Sequence, residues 1–401
     1  MGETSDIVAR PAAPIEPEAP PAPHGSAPAA VDAPRVRNRA QDTVDIVGTA
    51  ETVRIRAVSA VRRSGWYVEG PLLLATVMFG LYAIMSIARF LRLDNGSWDL
   101  GMFTEAIKGY AHLGAPIADI RGPGFNLLGD HFHPILVLIA PFFRIFPSSI
   151  TLLVAQAVLF AISMVPITRL AIRRLGIGAG YAIGIAYGLS WGLQSAADFD
   201  FHELAFAVPL LAFSLVALVD GRYRAAILWA MPLVLVKEDM GIFVAGIGVL
   251  VAIRGRKWWQ GLGLSVFGLA ASAVAILVFI PAFNPNGQYG FWQQIGGADP
   301  NSHPGMGGAF GALWDQFFTQ ADTKFITVFL LLLVTVFLAL GSPVTLIAVV
   351  PLLLRFASAN ENYWGTAYHY NAPLMPLLFV AAIDTLMRIR ARRAVRPVAA
   401  P

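Results

Sequence analysis

Residues 150–175 read ITLLVAQAVLFAISMVPITRLAIRRL. From Ile150 to Ala171 the run is continuously apolar enough, and long enough, for one α-helix to cross a hydrocarbon layer of about 30 Å. A strand of a membrane β-barrel would alternate apolar and polar positions, and this run does not. It stops at Arg173-Arg174, and paired basic residues at the end of an apolar run mark the cytoplasmic side.

Runs of the same kind recur along the chain. We place spans at 68–90, 150–171, 179–197, 204–219, 225–236, 241–253, 261–280, 325–340, 344–356 and 373–387. That gives an all-α polytopic bundle of about ten spans. Basic clusters at Arg173-Arg174, Arg222/Arg224, Arg254–Lys257 and Arg388–Arg393 then fall on one side, which places both termini in the cytoplasm. The segments 225–236 and 241–253 are short for full spans, so the Lys237-Glu238-Asp239 turn between them is expected to be kinked or sunk below the surface.

Composition agrees. Of 401 residues, 56% are hydrophobic and 13% charged, about half the charge of a soluble domain. The formal charge of +4 sits in topogenic clusters beside apolar runs and is not read as nucleic-acid binding. With no cysteine, disulfides, thiolate catalysis and Cys-ligated metal centres are excluded. Residues 1–65 are rich in Ala and Pro and are expected to be a disordered cytoplasmic tail. No apolar stretch follows Met1, which argues against a cleavable signal peptide. The membrane domain is expected over 66–393, with external loops at 91–149 and 281–322 and a short cytoplasmic tail at 394–401. Within the first loop, 99–113 and 134–146 read as surface-lying helices.

The polar residues are unevenly distributed. In this topology six of the seven histidines fall on the outer side, with five polar clusters. Asp99 follows the first span with Glu105 one helical face on. Each can serve as a general base, and Ser97 or Asp99 can equally be a helix cap. His131 and His133 flank Phe132 before Pro134, spaced unlike a helical metal motif but able to face a phosphate or a metal. Asp198-Phe199-Asp200-Phe201-His202-Glu203 alternates, so an extended loop would present Asp198, Asp200 and His202 on one face. Lys237, Glu238 and Asp239 lie among apolar residues, where charge is costly. Asn362, Tyr363, Trp364, His369 and Tyr370 suit sugar stacking and hydroxyl recognition, or an interfacial belt. Five loops meeting on one side suggest a composite pocket.

The motifs SWDLGMF, NLLGDHFHPILVLIAPFFRIFPS, DFDFHE, LVKEDMG and AYHYNAPLMP, in this order over 98–387, resemble the bacterial membrane proteins grouped as domain of unknown function 2079. That family in turn looks similar to the GT-C clan of integral-membrane glycosyltransferases. The resemblance implies transfer of a sugar from a polyprenyl-phosphate donor to an envelope glycan or protein acceptor, with inversion, at the extracytoplasmic face of the bacterial cytoplasmic membrane. It implies Asp99 as the base, with Glu105 in reserve. Lys237, His131, His133 and His369 would hold donor phosphate, and Tyr363, Trp364, Tyr370 and Asn362 would hold sugar or acceptor. A divalent cation (Mg or Mn) can be held by Asp200, His202, Glu203 and Glu238, although the clan also works without metal. A transporter or flippase of an envelope precursor and a non-catalytic scaffold are the competing classes. No internal repeat of the kind transporters show is evident.

Overall fold

The computed structural model describes residues 39–94, 98–294, 311 and 314–395, with side chains over 65–291, 294, 311 and 314–393 apart from the gap at 95–97. The first 38 residues of the expected tail, Ser97 and residues 295–310, 312 and 313 of the second external loop lie outside the described residues. Backbone from residue 39 onward is helical, as the beginning of a helix that runs Arg39–Arg92.

Among the described residues the fold is helical, with one isolated antiparallel bridge, Ile117 to Asn126, and no strand. Among the described residues four helices are long and apolar enough to cross a membrane: Gly65–Arg92, Ser149–Leu175, Trp258–Phe283 and His369–Arg393. The other apolar segments are helical but broken into shorter pieces. Ile177–Gly188 and Trp191–Phe199 are divided at Leu189-Ser190, and Tyr223–Ala230 passes into a 3-10 turn at Met231–Leu235. Ala321–Leu333 ends before Val336 and Phe337, which take left-handed backbone conformations. Pro232, Pro343 and Pro351 sit at or near the starts of such pieces, where a missing N–H costs least.

Burial sorts the long helices. The apolar window of Trp258–Phe283 is only 22% buried, and its apolar side chains, among them Val266, Leu269 and Leu277, face outward. Such a face suits lipid, where leaving an apolar residue exposed costs nothing. The window of His369–Arg393 is 78% buried. This helix is central, packed on Ser149–Leu175 and Ala207–Val219.

Gly241–Gly255 and Trp258–Val274 pack backbone to backbone. A Cβ on Gly261 would overlap the Gly248 carbonyl oxygen, and one on Gly268 would overlap that of Gly241. Ser265 Oγ donates across this seam to the Ala245 carbonyl at 2.9 Å. Small residues at a lipid-exposed seam gain van der Waals contact where apolar side chains gain little over lipid.

Three long helices run between the same two ends of the bundle, the first opposite in direction to the other two. Arg89 pairs with Asp198 at 2.9 Å at one end of the first span, whereas Tyr67 and Arg173 meet at the other. Ser149 begins its helix beside Thr104 at 3.0 Å, and that helix ends where Arg173 and Arg174 clasp Asp220. The central helix begins at His369 and ends where Arg390 donates to the Arg174 carbonyl at 3.2 Å. Arg254, Arg388 and Ser342 surround Asp384 near that same end, at 3.0, 3.0 and 2.7 Å. Basic clusters thus collect at one end of the bundle, and the histidine-bearing loops at the other.

Candidate functional site

At the histidine end a cavity of about 490 Å³ opens among the loops. The helix Trp98–Ala111 forms one wall. It buries Leu100, Phe103, Ala106 and Ile107 and keeps Asp99 at its first turn, partly exposed to the cavity. Burial pushes the Asp99 carboxyl above its usual range, with His202 and Lys237 working against that rise. Glu105 faces away from the cavity and accepts the Ile120 N–H at 3.1 Å, so the structure separates the two carboxylates that the sequence offered as bases.

The loop 112–133 supplies the second wall. Arg121 pairs with Asp130 at 3.0 Å; Asp130 therefore ties the loop together rather than capping the next helix, which begins at Pro134 with no side-chain cap. His131 Nδ1 lies 2.6 Å from Glu238 Oε1, and the Phe132 N–H donates to Glu238 Oε2 at 3.1 Å. Burial disfavours the His131 cation, but the Glu238 carboxylate more than restores it, so its pKa stands above the ordinary value. His133 is buried edge-on to Phe103, and burial pulls it down to about 4, so it is neutral.

The DFDFHE segment divides in two. Asp198 and Phe199 close the helix Trp191–Phe199, so only 200–202 is extended, and Asp198 turns out to Arg89 rather than joining Asp200 and His202. The alternation fails there because the helix runs two residues further than the pattern suggests. Gln156, the lone amide within the run quoted at the outset, holds this segment. Its Nε2 donates to the Ala196 and Asp200 carbonyls at 3.1 and 2.8 Å, and its Oε1 accepts the His202 N–H at 3.1 Å. Glu203 is fully buried between His202 Nδ1 at 2.8 Å and Lys237 Nζ at 3.2 Å. These contacts are ionic in distance without hydrogen-bond alignment.

The remaining wall comes from 360–370. Asn362, Tyr363, His369 and Tyr370 line the cavity. Trp364 does not: it is buried, donates to the Ser358 carbonyl at 2.8 Å, and carries Lys324 over its ring at 4.1 Å. It follows the 3-10 turn at Glu361–Tyr363 and spends its indole N–H inside the bundle. Arg355, unmarked in the sequence reading, braces this wall by donating to the Tyr363 carbonyl at 2.6 Å and Asn371 Oδ1 at 3.0 Å. Tyr289, also unmarked, donates to Glu238 Oε1 at 2.9 Å.

The proposed cation set Asp200, His202, Glu203 and Glu238 does not converge. Glu203 and Glu238 face Lys237 and His131 instead, because buried carboxylates take the nearest cation. Among the described residues the group whose ligand atoms approach one another, within 4.8 Å, is Asp99, His202 and His369.

A second cavity of about 330 Å³ adjoins the first. Its lining is largely apolar, with Leu204, Ile242, Phe243, Ile276, Leu352 and Leu374. The two share His131, Lys237, Phe291, Tyr363 and Tyr370.

A family model for predicted membrane proteins, DUF2079, matches residues 89–400. The chain belongs to this family. The match starts just before the cavity's first wall and covers all the residues that line it. No curated protein and no solved structure matches the chain.

Proposed function

We propose that this DUF2079 protein transfers a sugar from a polyprenyl-phosphate donor to a cell-envelope acceptor. The observation that carries this reading is the junction of a polar cavity with an apolar groove across shared residues, Lys237 among them. A lipid-linked sugar divides the same way, into an apolar tail, a phosphate and a polyol. The tail fits the groove, the phosphate meets Lys237 at the junction, and the sugar enters the polar cavity beside the packed rings of Tyr363 and Tyr370. Lys237, with His131 beside it, offsets charge on the departing phosphate.

In this reaction the acceptor oxygen attacks the anomeric carbon. The bond from that carbon to the phosphate oxygen breaks, and its electron pair leaves with the phosphate. The acceptor proton passes to Asp99, which faces the same cavity. Attack opposite the leaving group inverts the anomeric centre. The gathering of basic clusters at the far end of the bundle supports a cavity open to the extracytoplasmic side of the bacterial cytoplasmic membrane, with both termini inside.

The test is purified protein in lipid nanodiscs, supplied with a panel of polyprenyl-phosphate sugars and scored by mass spectrometry for sugar release or transfer. Turnover of at least one donor, lost on Ile276→Trp in the groove, is expected. No turnover of any donor, together with lipid-donor movement across proteoliposomes, would favour a flippase instead. The broken helices at Leu189-Ser190 and at Val336-Phe337 are the feature that favours this second reading.

A further inference from the structure

His369 is 3% exposed, and neither ring nitrogen has a hydrogen-bond partner. A buried imidazole normally satisfies at least one nitrogen. This one lines the cavity and stacks on His202 with ring centroids 3.3 Å apart. His202 has its Nδ1 turned to Glu203 at 2.8 Å, which leaves Nε2 as its available nitrogen. Asp99 brings a carboxylate oxygen to the same point, and the three ligand atoms lie within 4.8 Å of one another.

We propose that Asp99, His202 and His369 form a binding site for a divalent transition-metal ion of the zinc class. Ligands about 2.0–2.2 Å from a common ion lie roughly 3–3.6 Å apart, so side-chain rotation alone closes the site. Two imidazoles and one carboxylate suit zinc and its first-row neighbours, whereas magnesium prefers an all-oxygen set. The ligand class therefore differs from the carboxylate-rich Mg or Mn site read from sequence. Glu203, 2.8 Å from His202 Nδ1, needs only to align with the ring to complete a carboxylate–histidine–metal relay, the outer-shell arrangement that fixes a ligating ring. Lys237 on the far side of Glu203 neutralises that carboxylate without occupying a ligand position.

Three protein ligands leave a tetrahedral ion one open position. The cavity adjoins all three, so an acceptor hydroxyl or a donor phosphate oxygen can fill it. A carboxylate offers two oxygens, so ligation through one leaves the other of Asp99 for the acceptor proton. The ion's use in sugar transfer rests on the reading proposed above; its binding does not.

The experiment takes the full chain with a histidine-free tag, stripped by chelator, and titrates it with Zn²⁺ and in parallel with Co²⁺. Folding is followed by size-exclusion chromatography. The expected result is about one tightly held ion per chain, resistant to excess Mg²⁺, with a cobalt spectrum of nitrogen-containing tetrahedral type. His202→Ala and His369→Ala should each weaken binding by about tenfold or more, and Glu203→Gln by about 10–100-fold. His112→Ala, outside the site, should leave it unchanged. Folded wild type that takes up no zinc overturns the proposal. So does zinc binding that persists equally in both histidine variants. Should those variants fail to fold, the wild-type cobalt spectrum decides, and an all-oxygen octahedral form overturns the site. Zinc bound here without sugar transfer from any donor removes the transfer reading and keeps the site; transfer without zinc uptake does the reverse.

Discussion

The imidazole rings of His202 and His369 lie face to face, 3.3 Å between centroids and 17° between planes. One ring belongs to the extended segment after Phe199, the other to the start of the central helix. Phe199 packs beside the pair, edge-on to Tyr368 at 5.0 Å and tilted against His369 at 5.6 Å. The cavity floor is thus a clasp between two segments far apart in sequence, held from below by Gln156 and Glu203.

Glu203 is the buried counter-charge of that floor. Glu203→Ala leaves Lys237, 8% exposed, beside the empty place of its carboxylate. Removing one partner of a buried ion pair costs about 3–5 kcal/mol. Thermal unfolding in detergent should therefore show a clear drop in Tm, and an unchanged Tm would show that Lys237 finds compensation elsewhere.

Asp99 and Glu105 give a second contrast. Asp99→Asn should lower sugar transfer by about 10²–10⁴-fold, the range of a lost general base. Glu105→Gln, in the position that accepts the Ile120 N–H, should leave the rate within about threefold, since it meets no substrate. Equal losses in both variants, with normal expression, would remove Asp99 from the base role.

The His131–Glu238 contact carries a pH signature. His131 has a folded pKa above its ordinary 6.5, so its contribution to stability is fully present below that value and is lost as pH rises through the higher folded value. Glu238, Lys237 and Asp130 are the charged groups that act on it. Wild type should therefore lose more stability than His131→Gln as the pH rises above the ordinary histidine value of 6.5 and through the higher folded one. Parallel pH profiles for the two proteins would contradict this.

The glycine seam makes a stability prediction remote from the cavity. Gly261→Val puts a branched side chain against the Gly248 carbonyl and forces the two helices apart. The expected cost is about 1–3 kcal/mol, in the range of overpacking, read as a lower Tm. Gly263→Val, where an added Cβ meets nothing, is the matched control and should change little.

Much of this architecture can be read from residue order, and the reasons are local. Apolar length places the helices, because a backbone in hydrocarbon must satisfy its own hydrogen bonds. Arg173-Arg174 and Arg388–Arg393 orient them, because arginines gather at one end. Asp99, His131, Lys237 and Tyr370 are legible as site candidates because charged or polar loop residues beside apolar runs need a reason. What local pattern cannot give is pairing. Asp200, His202, Glu203 and Glu238 look alike along the chain, yet only His202 meets Asp99 and His369, and that depends on where the central helix begins. Gln156 carried a readable signal, a single amide in an apolar run. Arg355 and Tyr289 carried none, since each acts through a partner distant in sequence.

The central position of His369–Arg393 has a consequence for biogenesis. Its packing partners, Ser149–Leu175 and Ala207–Val219, leave the ribosome long before it does. Until it arrives they pack on one another but lack the helix that covers their remaining inner faces, and the half-built clasp at His202 lacks its other half. Insertion and assembly must therefore be separate events, with earlier helices waiting side by side in the bilayer for the one that completes them. A quality-control protease would find its substrates in that interval, and a stop codon ahead of His369 should yield membrane-inserted chains that are rapidly cleared rather than stable, inactive ones.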